Sequence, residues 1–160
     1  MKKLTKDNFM KLFIIFAIPV IYSMIYDFLM RITTYKSWVG IGLSLIFLII
    51  WYFAGRYIGR QKIDYKTAVY GIHGLLIIGS VLSLIAVLMY PKAPSFLEMI
   101  MVYTNLYTLA LEAITTPLII MLTYFFEVED YFIYLNLACI ISCITMMGIF
   151  TAGYERTIDD

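Results

Sequence analysis

The chain has 160 residues, 62% of them hydrophobic and 14% charged, with a formal net charge of +1 and a mean hydropathy of +0.88. Soluble domains carry about 45–50% apolar and about 25% charged residues, so this composition excludes a soluble globular protein and points to a chain solvated by lipid. The near-neutral charge offers no basic stripe for phosphate backbones, and nucleic acid is not expected as a partner.

The first residues, MKKLTKDNFMKLFIIFAIPV, join a basic lead to an apolar stretch as a signal peptide does. No small-x-small cleavage site follows and the run continues to Met30, so it reads as an uncleaved first span over about 12–30. Pro19 is expected to kink it. Asp27, near its outer end, stands one turn before Arg31, the spacing of an i to i+4 ion pair.

A helix rising 1.5 Å per residue needs about 20 residues to cross a hydrocarbon core of about 30 Å. By that measure the run from Trp38 forms a second span over about 38–58, and a third covers about 67–90. YPKAPS then stops the third span, and SFLE restarts a helix as a capping box of Ser95 and Glu98. The apolar stretch over about 96–126 would measure about 46 Å as one helix. It is read as a single long fourth span, interfacial at its start and kinked at Pro117. The competing division is a re-entrant pair of half-spans, which would move the C-terminus to the opposite side. A last span covers about 131–154. None of these runs alternates with period two, so a barrel is excluded. The expected fold is an all-α, polytopic transmembrane helical bundle of five spans, forming one integral membrane domain.

Lys2, Lys3, Lys6 and Lys11 precede the first span, and Arg56, Arg60, Lys62 and Lys66 surround the second loop, so both regions are placed in the cytoplasm of a cell-membrane protein. Five spans then put the turn EVED, residues 127–130, inside and the tail YERTIDD outside. Trp38 and the tyrosines Tyr35, Tyr90, Tyr131 and Tyr154 mark segment ends at headgroup level.

The polar residues inside the spans are the candidates for chemistry. In LALEAITTPLI, Glu112 shares a helical face with Asn105, Thr108, Thr115, Thr116 and Thr123. Such a stripe is expected to face the bundle interior, because an unpaired carboxylate against lipid costs at least about 2.5 kcal/mol. Pro117 lacks the amide that would bond the Ala113 carbonyl, which frees an acceptor beside Glu112. A carboxylate next to a free carbonyl suits a proton or a small cation. The structural alternative is that Thr115 and Thr116 bond back to ease a proline kink, while Asn105 and Thr108 join helices. By depth, His73 and Arg56 are the expected partners of Glu112. The ligand- or proton-binding set is therefore Glu112, His73, Asn105, Thr108 and Thr116, with Arg56 as ion-pair partner. Gly40 and Gly42 in GIG, and Gly71 and Gly74 in GIHG, offer close helix contacts. Asn136, Cys139 and Cys143, with Ser142 and Thr145 near them, form a second polar seam on the last span.

One histidine and two cysteines four residues apart provide neither a zinc site nor a CxxC pair, and no disulfide is expected. No nucleophile elbow or phosphate loop is present. Enzymatic activity and cofactors are not expected. No similarity relates the two halves of the chain, unlike transporters built from repeats. The sequence reads as a transport component for a small solute or ion, working through the Glu112 face as an oligomer or with a membrane-protein partner. The alternative is a non-enzymatic accessory or regulatory subunit of a larger membrane complex.

Overall fold

Lipid offers no partner for backbone amides and carbonyls, so a chain this apolar must satisfy them within its own helices. The computed structural model describes residues 6–34, 36–89, 95–117, 121 and 131–157, and all regular structure among them is helical. Four long helices carry the fold: α1 (Lys6–Ile32), α2 (Ser37–Arg60), α3 (Tyr65–Met89) and, last in the chain, α5 (Tyr131–Glu155). They have 27, 24, 25 and 25 residues, about 36–40 Å each, enough to cross a bilayer. Between α3 and α5 lies α4 (Ser95–Thr108), 14 residues long. It continues through a 3-10 turn, Leu109–Leu111, into helical residues 112–117.

The helix ends follow local chemistry. Asp64 caps α3 by accepting from the Thr67 amide at 3.2 Å and the Thr67 hydroxyl at 3.3 Å, as short polar side chains do at an N-terminus. α1 and α2 both turn off through a non-glycine residue in the left-handed region, Thr34 at φ 57° and Lys62 at φ 55°. α4 begins at Ser95, where the SFLE signature sets it; the side chains of Ser95 and Glu98 lie outside the described ones. So do Tyr35, Tyr90, the side chain of Tyr131, Thr123 and the EVED turn. Trp38 is 71% exposed, as a belt residue should be. Tyr154 is instead buried, and its hydroxyl donates to the Ile63 carbonyl at 2.6 Å, closing the α2–α3 loop.

The direction of α5 decides the topology. Trp51 Nε1 donates to the Met146 carbonyl at 3.0 Å. Gly55 lies against the Phe150 carbonyl, and Gly59 against Tyr154 and Thr157. Contacts therefore advance together along both helices, and α2 and α5 run parallel. Against α3 the order reverses: Ser83 donates to Asn136 Oδ1 at 2.5 Å, Ser80 meets Cys143 at 3.5 Å, and His73 meets the Phe150 ring. The start of α1, the α2–α3 loop and the end of α5 consequently share one end, tied by Lys11 Nζ to Gln61 Oε1 at 2.9 Å and by Tyr154 to Ile63. The end of α3 and the start of α5 lie at the other.

Among the described residues four helices are long and apolar enough to cross a membrane, and the fifth span of the five-span expectation is not among them. A chain that leaves α3 and re-enters α5 at the same end does not make one net crossing between them. Counting apolar residues measures length and carries no information on direction, which is why a single fourth span looked sufficient. The described part of α4 packs chiefly against the half of the bundle away from the start of α1. Thr104 meets Gly79, Ser44 donates to the Ala110 carbonyl at 2.7 Å, and Thr108 meets Cys139 at 3.2 Å. Residues 118–120 are outside the described set, so the expected kink at Pro117 falls at its edge. The observed irregularity comes earlier, in the 3-10 turn.

α2 and α5 touch backbone to backbone. A Cβ added at Gly55 would overlap the Phe150 carbonyl, and one at Gly153 would overlap the Tyr52 carbonyl. Gly55 and Gly59 form a GxxxG pair, the spacing that lets membrane helices approach closely. The glycines singled out at 42, 71 and 74 do not do this: Gly42 meets nothing within 4 Å, and Gly71 only a Leu12 methyl at 3.7 Å. Around the seam Phe47, Trp51, Ile58, Ile72, Met146 and Phe150 are fully buried, while Phe13, Met24, Phe28, Ile49, Ile78 and Ile144 project outward. Helices apolar on both faces are those of a membrane protein.

Two tests follow from this packing. Gly153→Ala should destabilise the protein by about 1–3 kcal/mol through overpacking, whereas Gly148→Ala, which faces open space, should be neutral or gain up to about 1 kcal/mol; thermal unfolding in detergent reads both. Cysteines placed at the exposed positions Asp7 and Glu155 should be modified by an impermeant maleimide from the same membrane side, and one at Lys36 from the opposite side. Modification of Asp7→Cys and Glu155→Cys from opposite sides would contradict the helix directions.

Candidate functional site

A polar seam runs where α3, α4 and α5 meet. Cys139 Sγ lies 2.8 Å from Asn105 Oδ1 and 3.2 Å from Thr108 Oγ1. Thr108 also donates to the Thr104 carbonyl at 3.1 Å, and Thr104 to the Ile100 carbonyl at 2.8 Å. Ser142 meets Thr115 at 3.5 Å, and Thr115 back-bonds to the Leu111 carbonyl at 3.0 Å. Together with Ser83–Asn136 and Ser80–Cys143, the contacts of Cys139 and Ser142 pair described polar side chains across helices. Both cysteines are free, buried thiols. Asn105 and Thr108 thus belong with the second polar seam noted on the last span, and they serve as helix contacts within it.

Glu112 has left this seam. Thr108 and Thr115 are buried and Thr116 is half-buried, but Glu112 is exposed. The cause is the turn at Leu109–Leu111. A 3-10 helix advances about 120° per residue and an α-helix about 100°, so three such residues add about 60° of rotation. A residue expected beside Thr108 is thereby carried round to the outside. The surroundings of Glu112 are Tyr26 and Asp27 of α1, with which it interacts electrostatically. Asp27 itself pairs with Arg31 at 2.8 Å, as the i to i+4 spacing implied. The next residue, Ala113, packs its Cβ against Gly40, where an added Cβ would lie 2.9 Å away. The Tyr26 hydroxyl oxygen lies beside the Ala113 amide and Ser44.

His73 lies elsewhere. It is 1% exposed, with Nδ1 3.3 Å from the Val69 carbonyl and ring centroids 5.8 Å from Trp51 and 5.2 Å from Phe150. Its ring also interacts with the Met146 carbonyl, which already accepts from Trp51, and Nε2 makes no well-formed hydrogen bond. Gly40 abuts Ala113, and Trp51 abuts His73. These two α2 residues are eleven apart, so His73 and Glu112 differ by about 16 Å along the bundle axis. Arg56 is sixteen residues from Gly40, about 24 Å, and its backbone amide lies against Gly153 of α5. The expected convergence of Glu112, His73 and Arg56 does not occur. Their assignment to a common depth relied on the fourth helix crossing the whole bundle, and the described part of α4 does not.

The same geometry puts Glu112 near the end of the bundle formed by the end of α1 and the start of α2. Tyr26 lies six residues before the end of α1 and Gly40 three after the start of α2, about 5–9 Å inside that end of the bundle. If a hydrocarbon core of about 30 Å is centred on helices of about 36–40 Å, it stops about 3–5 Å short of each end, and Glu112 then falls just within its boundary. Among the described residues no cation pairs with it, and no three His, Cys, Asp or Glu residues gather as a metal site would require. The contact that sequence reasoning passed over is the α2–α5 seam, whose signal was the GRYIG stretch at Gly55–Gly59. The chain matches no protein-family model, no curated protein and no solved structure.

The division between seam and surface is measurable. Ser83→Ala, which removes a buried interhelical hydrogen bond to Asn136, should lower stability by about 0.6–1 kcal/mol. Glu112→Gln should change it by less than about 0.5 kcal/mol, as an exposed substitution does. A larger loss for Glu112→Gln than for Ser83→Ala in detergent unfolding would return the carboxylate to the interior.

Proposed function

We propose that this chain is a non-enzymatic accessory subunit that packs laterally against a partner in a larger membrane assembly. The observation that carries the reading is Glu112, an outward carboxylate near the end of the bundle with no cation beside it among the described residues. A basic side chain on a neighbouring membrane helix would complete it, since such carboxylates are ordinarily paired or turned to water. The polar seam of α3, α4 and α5 supports the same reading, because its side chains are engaged with one another and hold helices together. The basic residues favour an orientation. Lys11, Arg56, Arg60, Lys62, Lys66 and Arg156 belong to the end shared by the start of α1, the α2–α3 loop and the end of α5, whereas Arg31 and Lys36 belong to the other. On the positive-inside rule both tails then face the cytoplasm.

A second reading, a transport component for a small solute or ion, has one observation in its favour. Ser23 Oγ and His73 Nε2 are buried polar atoms without a well-formed hydrogen bond, and such atoms are places where water or a polar solute would be stabilised.

One paired experiment separates the two. Tagged wild-type chain purified from its native membranes should retain a stoichiometric membrane partner. Glu112→Gln should weaken that retention by about tenfold, equivalent to about 1.4 kcal/mol, and Glu112→Lys should abolish it. Purified chain in vesicles should pass protons and small cations no faster than empty vesicles do. Flux by the purified chain that is lost in His73→Phe, with partner retention unaffected by Glu112→Lys, would replace the accessory reading with the transport reading.

A further inference from the structure

We propose that the end of the bundle formed by the start of α1, the α2–α3 loop and the end of α5 binds the phosphate of anionic phospholipid headgroups through Arg60, Lys62, Lys66 and Arg156. The inference goes beyond the assembly reading and does not use Glu112.

Three separate stretches of chain are pinned together there. Lys11 holds Gln61, Tyr154 holds the Ile63 carbonyl, and Gly59 lies against Thr157. The side chains of Arg60, Lys62, Lys66 and Arg156 are all exposed on this end. Two of the nearby carboxylates are already engaged. Asp7 pairs with Lys11 at 2.7 Å, and Asp64 accepts from the amide and hydroxyl of Thr67. Glu155 is the other exposed acid among the described residues of this end. Among the described side chains of this end six basic groups, Lys11, Arg56, Arg60, Lys62, Lys66 and Arg156, outnumber the three carboxylates Asp7, Asp64 and Glu155, and the cluster stands at the level of Tyr57 and Tyr65, 45% and 38% exposed, rings that favour the headgroup layer. A cluster of lysine and arginine immediately beyond membrane helices is the arrangement that attracts anionic lipid.

Lys62 is placed by the turn that ends α2, as Thr34 is by the turn that ends α1. The first residue past the α2 C-cap adopts φ 55° and donates its amide to the Gly59 carbonyl at 3.0 Å. That is the left-handed turn in which glycine is the ordinary occupant, because a Cβ is strained there. Here the turn lets Ile63 bury, at 3% exposure, while the residue before it projects outward. Glycine would make the same turn with less strain, and the position instead carries an exposed cation.

Thermal unfolding of the full chain in neutral detergent, with added lipid, tests the proposal. Phosphatidylglycerol should raise the melting temperature of the wild type more than an equal amount of phosphatidylcholine. That difference should shrink in high salt, and inorganic phosphate should not reproduce it. Lys62→Gly should raise the melting temperature without lipid and reduce the phosphatidylglycerol increment, so that the two readouts move oppositely. Arg60→Gln/Lys62→Gly/Lys66→Gln should lose about half of the increment or more while keeping the phosphatidylcholine response, which reports an intact fold. Lys36→Gln, at the opposite end, should leave the increment unchanged. Equal increments from the two lipids, full reproduction by inorganic phosphate, or a triple variant with an undiminished increment would each overturn the proposal.

Discussion

The contact on which the rest of this bundle depends is the backbone seam between α2 and α5. Gly55 and Gly153 remove the side chains that would separate the two helices, so each lies against a carbonyl of its neighbour. In lipid the hydrophobic effect does not drive helices together, and association depends on close packing and on hydrogen bonds that hydrocarbon cannot replace. Trp51 provides one such bond by donating to the Met146 carbonyl. Because the seam requires α2 and α5 to run in register and in the same direction, it also sets which end of α5 meets the α2–α3 loop. The joining of both tails at one end follows from that single constraint.

The parallel pair leaves a space that the intervening chain must fill. α3 runs back antiparallel to both helices, and α4 with its 3-10 turn is wedged into the half of the bundle where α3 ends and α5 begins. The polar seam lies at this wedge. Asn105, Thr108 and Cys139 are in contact, as are Ser83 and Asn136. Apolar packing alone would let α4 slide or rotate, since its neighbours present similar aliphatic surfaces on every side. Directional bonds to short polar side chains specify one seating. The 3-10 turn is seated in the same way, with Ser44 holding the Ala110 carbonyl.

Much of this was legible in the sequence. The helical class, the ends of α1 and α2, the restart at Ser95, the Asp27–Arg31 pair and the polar character of the last helix all follow from run length, punctuation and spacing. Three features were not legible, each for a physical reason. The direction of α5 is encoded in glycines that matter only once a partner carbonyl faces them. GRYIG carried that information, while GIG and GIHG looked equally good. The rotation of Glu112 arises from tighter winding over three residues, and Leu109, Ala110 and Leu111 have side chains that fit either kind of helix. The depth of Glu112 depends on whether α4 crosses the bilayer, and hydropathy reports what a segment tolerates without saying how far it travels.

The displaced carboxylate bears on how function is read in such bundles. A charged residue in an apolar run draws attention because the hydrocarbon centre penalises it by at least about 2.5 kcal/mol. At about 5–9 Å inside the end of the bundle the same group is close to one boundary of a core centred on the helices, where the penalty falls as water and lipid polar groups come within reach. The argument that an intramembrane acid must serve a proton or ion path therefore weakens with every ångström towards the boundary. A different argument replaces it: an acid on the outer wall of a bundle meets whatever lies beside the bundle, and so it is suited to lateral recognition. His73 shows the converse case. It lies deep, enclosed by Trp51 and Phe150, with one ring nitrogen near a backbone carbonyl and the other without a well-formed hydrogen bond. Depth and pairing, rather than residue type, separate these two polar groups: Glu112 lies on the outside of the bundle near its end, and His73 is built into the packing of α2, α3 and α5.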